Sequence, residues 1–137
     1  MNAKRVIITI IAAFGVVWVT DFLIHQVILQ KDYIATKDLW RSEADMLKAF
    51  KWLLAGELMA ATGLAVLWLR GFAATAKPAC AMGFGAFAGL LGSSYAPAFH
   101  AVMPIPGLLC VKWVVFGVLQ SILVSLVLHA ITRPAKA

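Results

Sequence analysis

Four long apolar stretches constrain this chain more than any other feature of its sequence. They cover about residues 6–29, 50–69, 79–103 and 107–131, and a helix needs roughly 20 apolar residues to cross a bilayer. Of the 137 residues, 63% are hydrophobic, against about 45–50% in soluble domains. Since backbone polar groups cannot be hydrated in lipid, such segments fold as helices. The sequence predicts one all-α integral membrane domain over residues 1–137, a four-transmembrane-helix bundle with an outer loop at residues 30–49.

The net charge of +6 fits membrane topology rather than nucleic-acid binding. With four crossings, the segments before the first span, between the second and third, and after the fourth share one side. That side carries a basic excess, whereas the outer loop mixes both signs. The positive-inside rule therefore predicts that this side, with both termini, is cytoplasmic. The basic residues concerned are Lys4, Arg5, Arg70, Lys77, Arg133 and Lys136.

A short repeat relates the two halves of the chain. The pattern Lys-Trp-x-x-x-Gly-x-Leu begins at Lys51 and again at Lys112. It indicates two similar two-helix halves, arranged as parallel repeats. A separate small-xxx-small pattern, Gly85 with Gly89, lets helix backbones approach closely. We expect it to pack within the monomer, with a homo-oligomer or partner interface as the alternative.

Two carboxylates interrupt the first two spans, and an ionisable group in hydrocarbon is a candidate functional site. At about 1.5 Å per residue, Asp21 and Glu57 both lie roughly 10–12 Å below the outer ends of their spans. His25 is one turn above Asp21 on the same face. Further polar side chains are predicted in this outer layer: Ser94, Tyr95, His100, Lys112 and Gln120.

This polar layer has several interpretations. It could be a structural network, in which Lys112 pairs with Asp21 or Glu57 and Ser94, Tyr95 and Gln120 complete the hydrogen bonds. The set Asp21, His25, Glu57 and His100 could bind a transition metal. His25 and His100 could instead ligate haem or a chlorophyll-like pigment. In the last interpretation, Asp21 and Glu57 line a proton or small-ion pathway.

The outer loop also carries local signals. Ser42, with Asp45 three residues later, predicts the start of a helix that continues into the second span. A short interfacial helix is expected before it, with Trp40 at headgroup depth. Trp52, Trp68 and Trp113 likewise fit interfacial belts, whereas Trp18 is deeper and is expected to pack.

Several strings along the chain form one pattern: Asp21-Phe22-Leu23-Ile24-His25, then Tyr33, Thr36 and Leu39-Trp40-Arg41, and later Met103-Pro104-Ile105-Pro106 with Trp113 and Gly117. In these residues the chain resembles a group of uncharacterised small bacterial four-span membrane proteins. The resemblance implies a four-helix inner-membrane protein and no particular activity. It therefore supplies no catalytic residues.

No catalytic triad, phosphate-binding glycine loop or HExxH motif is present, so the sequence favours a non-enzymatic protein. The first hypothesis is an accessory subunit of a larger inner-membrane complex. The alternatives are a metal-, haem- or pigment-binding oxidoreductase component and a small cation or proton transporter. The lipid bilayer is the expected partner, together with a larger complex or a homo-oligomer, and nucleic acid is not expected.

Overall fold

The computed structural model describes residues 2–74 and 77–133, and they form an antiparallel helical bundle. A π-helical segment, Phe22–Ile28, continues the first helix. A 3-10 turn, Lys37–Leu39, precedes the third. The helices in chain order are α1 (Ala3–Asp21), α2 (Gln30–Ala35), α3 (Glu43–Gly71), α4 (Pro78–Gly92), α5 (Tyr95–Val102) and α6 (Gly107–Thr132).

The predicted all-α four-helix fold is confirmed. Four helical segments are long and apolar enough to cross a membrane, and α4 and α5 together form the third of them. The four segments are Ala3–Ile28, Glu43–Gly71, Pro78–Val102 and Gly107–Thr132. We call the end that carries α2 the outer end of the bundle, and the opposite end the inner end.

Local chemistry determines where the helices begin. The Ser42 hydroxyl accepts a hydrogen bond from the backbone N–H of Asp45 at 3.2 Å, as an N-cap does. Glu43 and Asp45 add negative charge to the first turn, where the helix dipole favours it. The predicted start at Ser42 is therefore confirmed, and α3 runs without interruption into its apolar part. At α4, Pro78 occupies the first turn, where its missing N–H costs nothing.

The two helices of each predicted half pack on each other, α1 with α3 and α4 with α6. At Gly85, an added Cβ would lie 2.5 Å from Cα of Ile122. At Gly89, it would lie 2.6 Å from Cα of Val118. The small-residue face is thus used within the monomer, as expected, and brings two backbones into direct contact. Because α6 also packs against α1, this contact fixes where α6 meets the first helix.

An aromatic core closes the inner end. Trp68 is completely buried, packs against both Phe72 and Phe84, and donates from Nε1 to the hydroxyl of Thr132 at 2.8 Å. Arg5 donates to the carbonyl oxygen of Thr132 at 2.6 Å and so satisfies one of the last carbonyls of α6. These bonds tie α1 and α3 to the end of α6.

Two of the tryptophan predictions are wrong. Trp68 is a core residue rather than a belt residue, because its indole N–H has a buried acceptor. Trp18 was expected to pack but is 51% exposed on the outside of the bundle, where lipid can solvate it. Trp52 is exposed, whereas Trp40 and Trp113 pack together at the outer end.

Gly85→Ala should destabilise the bundle by about 1–3 kcal/mol, because the added Cβ forces two backbones apart. Gly83→Ala is the matched control on the same helix, since nothing lies within 4 Å of its Cβ position. The control should be neutral or stabilising by up to about 1 kcal/mol from helix propensity. Thermal unfolding in mild detergent measures both. Equal stability of the two variants would contradict the close approach of α4 and α6.

Candidate functional site in the outer half of the bundle

The site is built around Asp21, where the first span changes its helical form. Asp21 is the last residue of α1, and the π-helical segment Phe22–Ile28 follows directly. The wider turn is visible in the bond from the N–H of Leu29 to the carbonyl of Ile24, five residues earlier, at 2.8 Å. π-Helical segments are rare in proteins, and those that occur often lie at functional sites. Here the change of helix alters the direction of every side chain between Asp21 and the outer end.

Gln120 of α6 binds Asp21 directly. Its Nε2 atom donates to Oδ1 of Asp21 at 2.6 Å and to the hydroxyl of Thr20 at 2.8 Å. The carbonyl oxygen of Val17 lies 3.3 Å from the same nitrogen. Thr20 itself donates to the carbonyl of Val16 at 2.7 Å, which leaves its oxygen free to accept. Three oxygen atoms of α1 therefore surround one nitrogen atom of α6.

Glu57 of α3 reaches the same place from the other side. Its side chain is buried, with 8% exposure, and its Oε2 atom has no hydrogen-bond partner among the described residues. Asp21 is the polar group that its carboxyl contacts. A buried, unpaired carboxyl oxygen is costly, and two carboxyl groups in contact are stable when they share a proton or bind a cation. The predicted convergence of Asp21 and Glu57 at one depth thus agrees with this contact.

A short polar and aromatic segment covers the outer end; we call residues 29–40 the outer cap. Within it, Tyr33 accepts a hydrogen bond from Nε1 of Trp113 at 2.8 Å, and its hydroxyl is hydrogen-bonded to Nδ1 of His25 at 2.5 Å. Trp40 packs edge-on against Tyr33 and donates from its indole to the hydroxyl of Thr36 at 2.9 Å. His25 therefore bonds to the outer cap. The sequence had instead predicted it as one of four metal ligands.

Lys112 pairs with Asp32, not with Asp21 or Glu57. Its Nζ atom lies 2.7 Å and 2.8 Å from the two carboxylate oxygens of Asp32. The predicted structural pair is wrong because the outer cap, not the bundle interior, supplies the acceptor. This ion pair fastens α2 to α6. Among the described residues, it also leaves the contacting carboxyl groups of Asp21 and Glu57 without a lysine partner.

The remaining predicted site residues have separate surroundings. His100 donates from Nδ1 to the carbonyl oxygen of Ile105 at 2.6 Å and so braces the Pro104–Pro106 turn. Ser94 is exposed and donates to the carbonyl of Leu91. Tyr95 is half exposed, packs against Phe99 and lies within electrostatic reach of Asp21. Of the predicted network, Gln120 bonds to Asp21, and Lys112 bonds to Asp32 in the outer cap.

The positions of the side chains do not support the predicted metal site of Asp21, His25, Glu57 and His100. Across residues 2–74 and 77–133, no group of three or more His, Cys, Asp and Glu side chains is placed to hold a metal ion. The two histidines proposed for haem or pigment each make a local hydrogen bond of their own. The atoms that do converge at Asp21 are oxygens, which suit hard cations rather than transition metals.

Sequence reasoning missed several members of the site. Thr20 and Val17 were not singled out, although both lie within one turn of Asp21 on the same helix. Asp32 and Tyr33 were missed as partners of α6, although an acidic and an aromatic residue in the loop complement Lys112 and Trp113. The π-helical segment has no sequence signal that we can identify.

No family model, curated protein or solved structure matches this chain. The function must therefore be argued from its own residues. Its four apolar helices identify it as a multi-pass membrane protein.

Tyr33 in the outer cap should ionise at a higher pH than an ordinary tyrosine, because burial raises the pKa of its hydroxyl to about 12. In a Tyr95→Phe variant, Tyr33 is the remaining tyrosine. At pH 11 we expect it to be about one-tenth ionised, whereas an ordinary tyrosine is about nine-tenths ionised. Burial of the neutral hydroxyl stabilises the fold at pH values below 10, and this contribution is lost as the pH rises through 12.

Tyrosinate absorbance after a rapid pH jump measures this ionisation. Tyr33→Phe in the same background provides the baseline. Ordinary titration near pH 10 would show that the outer cap does not bury Tyr33.

Proposed function

We propose that this membrane protein binds a small cation, a proton or a monovalent metal ion, at Asp21 and Glu57 and moves it across the bilayer. One observation carries the proposal. A buried carboxyl oxygen of Glu57 has no donor and lies against a second carboxyl group, inside a span. Positive charge would stabilise two acidic groups in that position, and the described side chains do not supply it.

The alternative of a purely structural pair fits these contacts less well. A buried carboxylate retained for structure is normally paired with a cation or supplied with donors. Lys112, the cation that the sequence predicted as the partner, is held by Asp32. Gln120 supplies donors to Asp21 but not to Glu57. The unpaired acceptor therefore supports a group that exchanges a proton or an ion.

The direction of access follows from where the polar atoms lie. The inner end is closed by the Trp68 core and the bond from Arg5 to Thr132. Toward the outer end, His25 and Tyr33 form a hydrogen-bonded route from the vicinity of Asp21 to the outer cap. We propose that the outer cap faces the outside of a bacterial inner membrane and that both termini are cytoplasmic. The basic inner segments support this orientation through the positive-inside rule.

No contact among the described residues specifically favours an accessory subunit. The exposed apolar side chains are those that lipid would cover, and they do not require a protein partner. A metal- or pigment-binding oxidoreductase component has weaker support, because the histidines lie in separate local contacts. Both readings become outcomes of the experiment below.

Ion flux into proteoliposomes tests the proposal. The wild-type protein should carry protons, Na⁺ or K⁺ down a gradient. Glu57→Gln should lower that flux about tenfold or more, because losing a charged hydrogen-bonding group costs about 1.5–3 kcal/mol. The flux is followed with an internal pH dye and with radioactive Na⁺ and Rb⁺.

Glu43→Gln is the matched control, since it makes the same change at an exposed residue at the start of α3. Its flux should equal that of the wild-type protein. If well-folded wild-type protein carries none of these ions, the transport proposal is overturned. Co-purifying subunits or a bound pigment would then favour the accessory or cofactor-binding alternatives.

A further inference from the structure

The amide group of Gln120 occupies the centre of an oxygen cluster. The carbonyl of Val17, the hydroxyl of Thr20 and the carboxylate of Asp21 lie 3.3, 2.8 and 2.6 Å from its nitrogen. All three belong to one turn of α1, so the cluster is built by a continuous helix. A carboxamide nitrogen has two hydrogens, fewer than the oxygens around it. The cluster therefore provides more acceptors than its occupant can use.

Gln120 can also change which atom of its amide group faces the oxygen cluster. Rotation about the last side-chain bond of glutamine exchanges the NH₂ group for the carbonyl oxygen, with almost no change in shape. With the nitrogen inward, the amide satisfies the α1 oxygens as a donor. With the oxygen inward, it would repel them unless a cation lay between. Gln120 can thus face the cluster in two ways, and the presence of a cation selects one of them.

We infer that Val17, Thr20, Asp21 and the rotated amide of Gln120 coordinate a dehydrated alkali cation of Na⁺ size. The inference rests on the proposed function and names the ion and its ligands. Four oxygens, one of them charged, are hard ligands of the kind that alkali and alkaline-earth cations prefer. The backbone carbonyl of Val17 is accessible to the amide because α6 lies directly beside α1 at this level.

Glu57 adds a second reason for a cation at this place. Its buried Oε2 atom has no hydrogen-bond partner among the described residues, and its carboxyl group contacts that of Asp21. A cation bound at Asp21 would bring positive charge close to this oxygen, and a buried carboxyl oxygen without a partner is otherwise costly.

Thermal unfolding of the purified protein in detergent tests the inference without requiring transport. NaCl replaces choline chloride at constant ionic strength and constant pH. A ligand that binds the folded state raises the midpoint. We expect a rise of about 5 °C with about 100 mM Na⁺.

Variants locate the response. Thr20→Val and Gln120→Leu each remove a ligand and should abolish the Na⁺-dependent shift. Thr9→Val makes the same isosteric change on the same helix, at a hydroxyl that bonds only to the carbonyl of Arg5, and should keep the full shift. Thr20→Val preserves side-chain volume, so it provides a test even if Gln120→Leu does not fold.

The outcomes separate this inference from the proposed function. A shift with Na⁺ that Thr20→Val removes supports the site, whether or not the protein transports ions. A shift that persists in both variants overturns it. A wild-type protein that ignores Na⁺ but conducts protons in a Glu57-dependent way also overturns it, while leaving the proposed function intact. Absence of all flux overturns the proposed transport function alone.

Discussion

Gly85 and Gly89 bring the backbone of α4 against that of α6 so closely that a Cβ between them would meet main-chain atoms. In lipid, this kind of packing replaces the hydrophobic drive that holds soluble bundles together. The contact leaves the opposite side of α6 free to meet α1, where Gln120 reaches Asp21. A larger residue on α4 would shift α6 as a rigid rod and lengthen that bond. The polar site therefore depends on glycines that do not touch it.

The bundle is asymmetric along its length, and the asymmetry has physical consequences. The inner end buries a tryptophan with its indole N–H satisfied by Thr132, and apolar side chains fill the space around it. The outer half holds the carboxyl pair, and the outer cap above it is fastened by the ion pair of Lys112 with Asp32. That ion pair is partly exposed, so it contributes little net stability. The outer cap is held mainly by apolar packing around Leu29 and by the bond from Trp113 to Tyr33.

The fold was predictable because it rests on local rules, and the same rules single out Asp21 and Glu57 within their spans. Four apolar stretches predict four helices, and the rise per residue alone places Asp21 level with Glu57. The N-cap at Ser42 follows from its spacing to Asp45. The same rules failed for Lys112, since its partner depends on how a loop folds back over the bundle.

The histidines show why a list of metal-ligating residue types could not identify the site. His25 lies one turn from Asp21 in a regular helix, but the π-helical segment between them changes the direction of the side chain toward Tyr33. The atoms that gather instead include a backbone carbonyl and a threonine hydroxyl. Neither type stands out in a sequence, because every residue has a carbonyl and Thr20 resembles any helical threonine.

The identity of residue 120 also affects whether the contact with Asp21 is permanent or can be replaced by a cation. A lysine at this position would neutralise Asp21 permanently, and the result would be a buried ion pair. A leucine would leave the oxygens of Thr20 and Asp21 without a donor, at a cost of about 1–3 kcal/mol for each unsatisfied group. Glutamine satisfies these oxygens without adding charge, and it can reverse the polarity that it presents to them. Among side chains of this length, the neutral amide is therefore the one suited to a carboxyl site that gains and loses a cation.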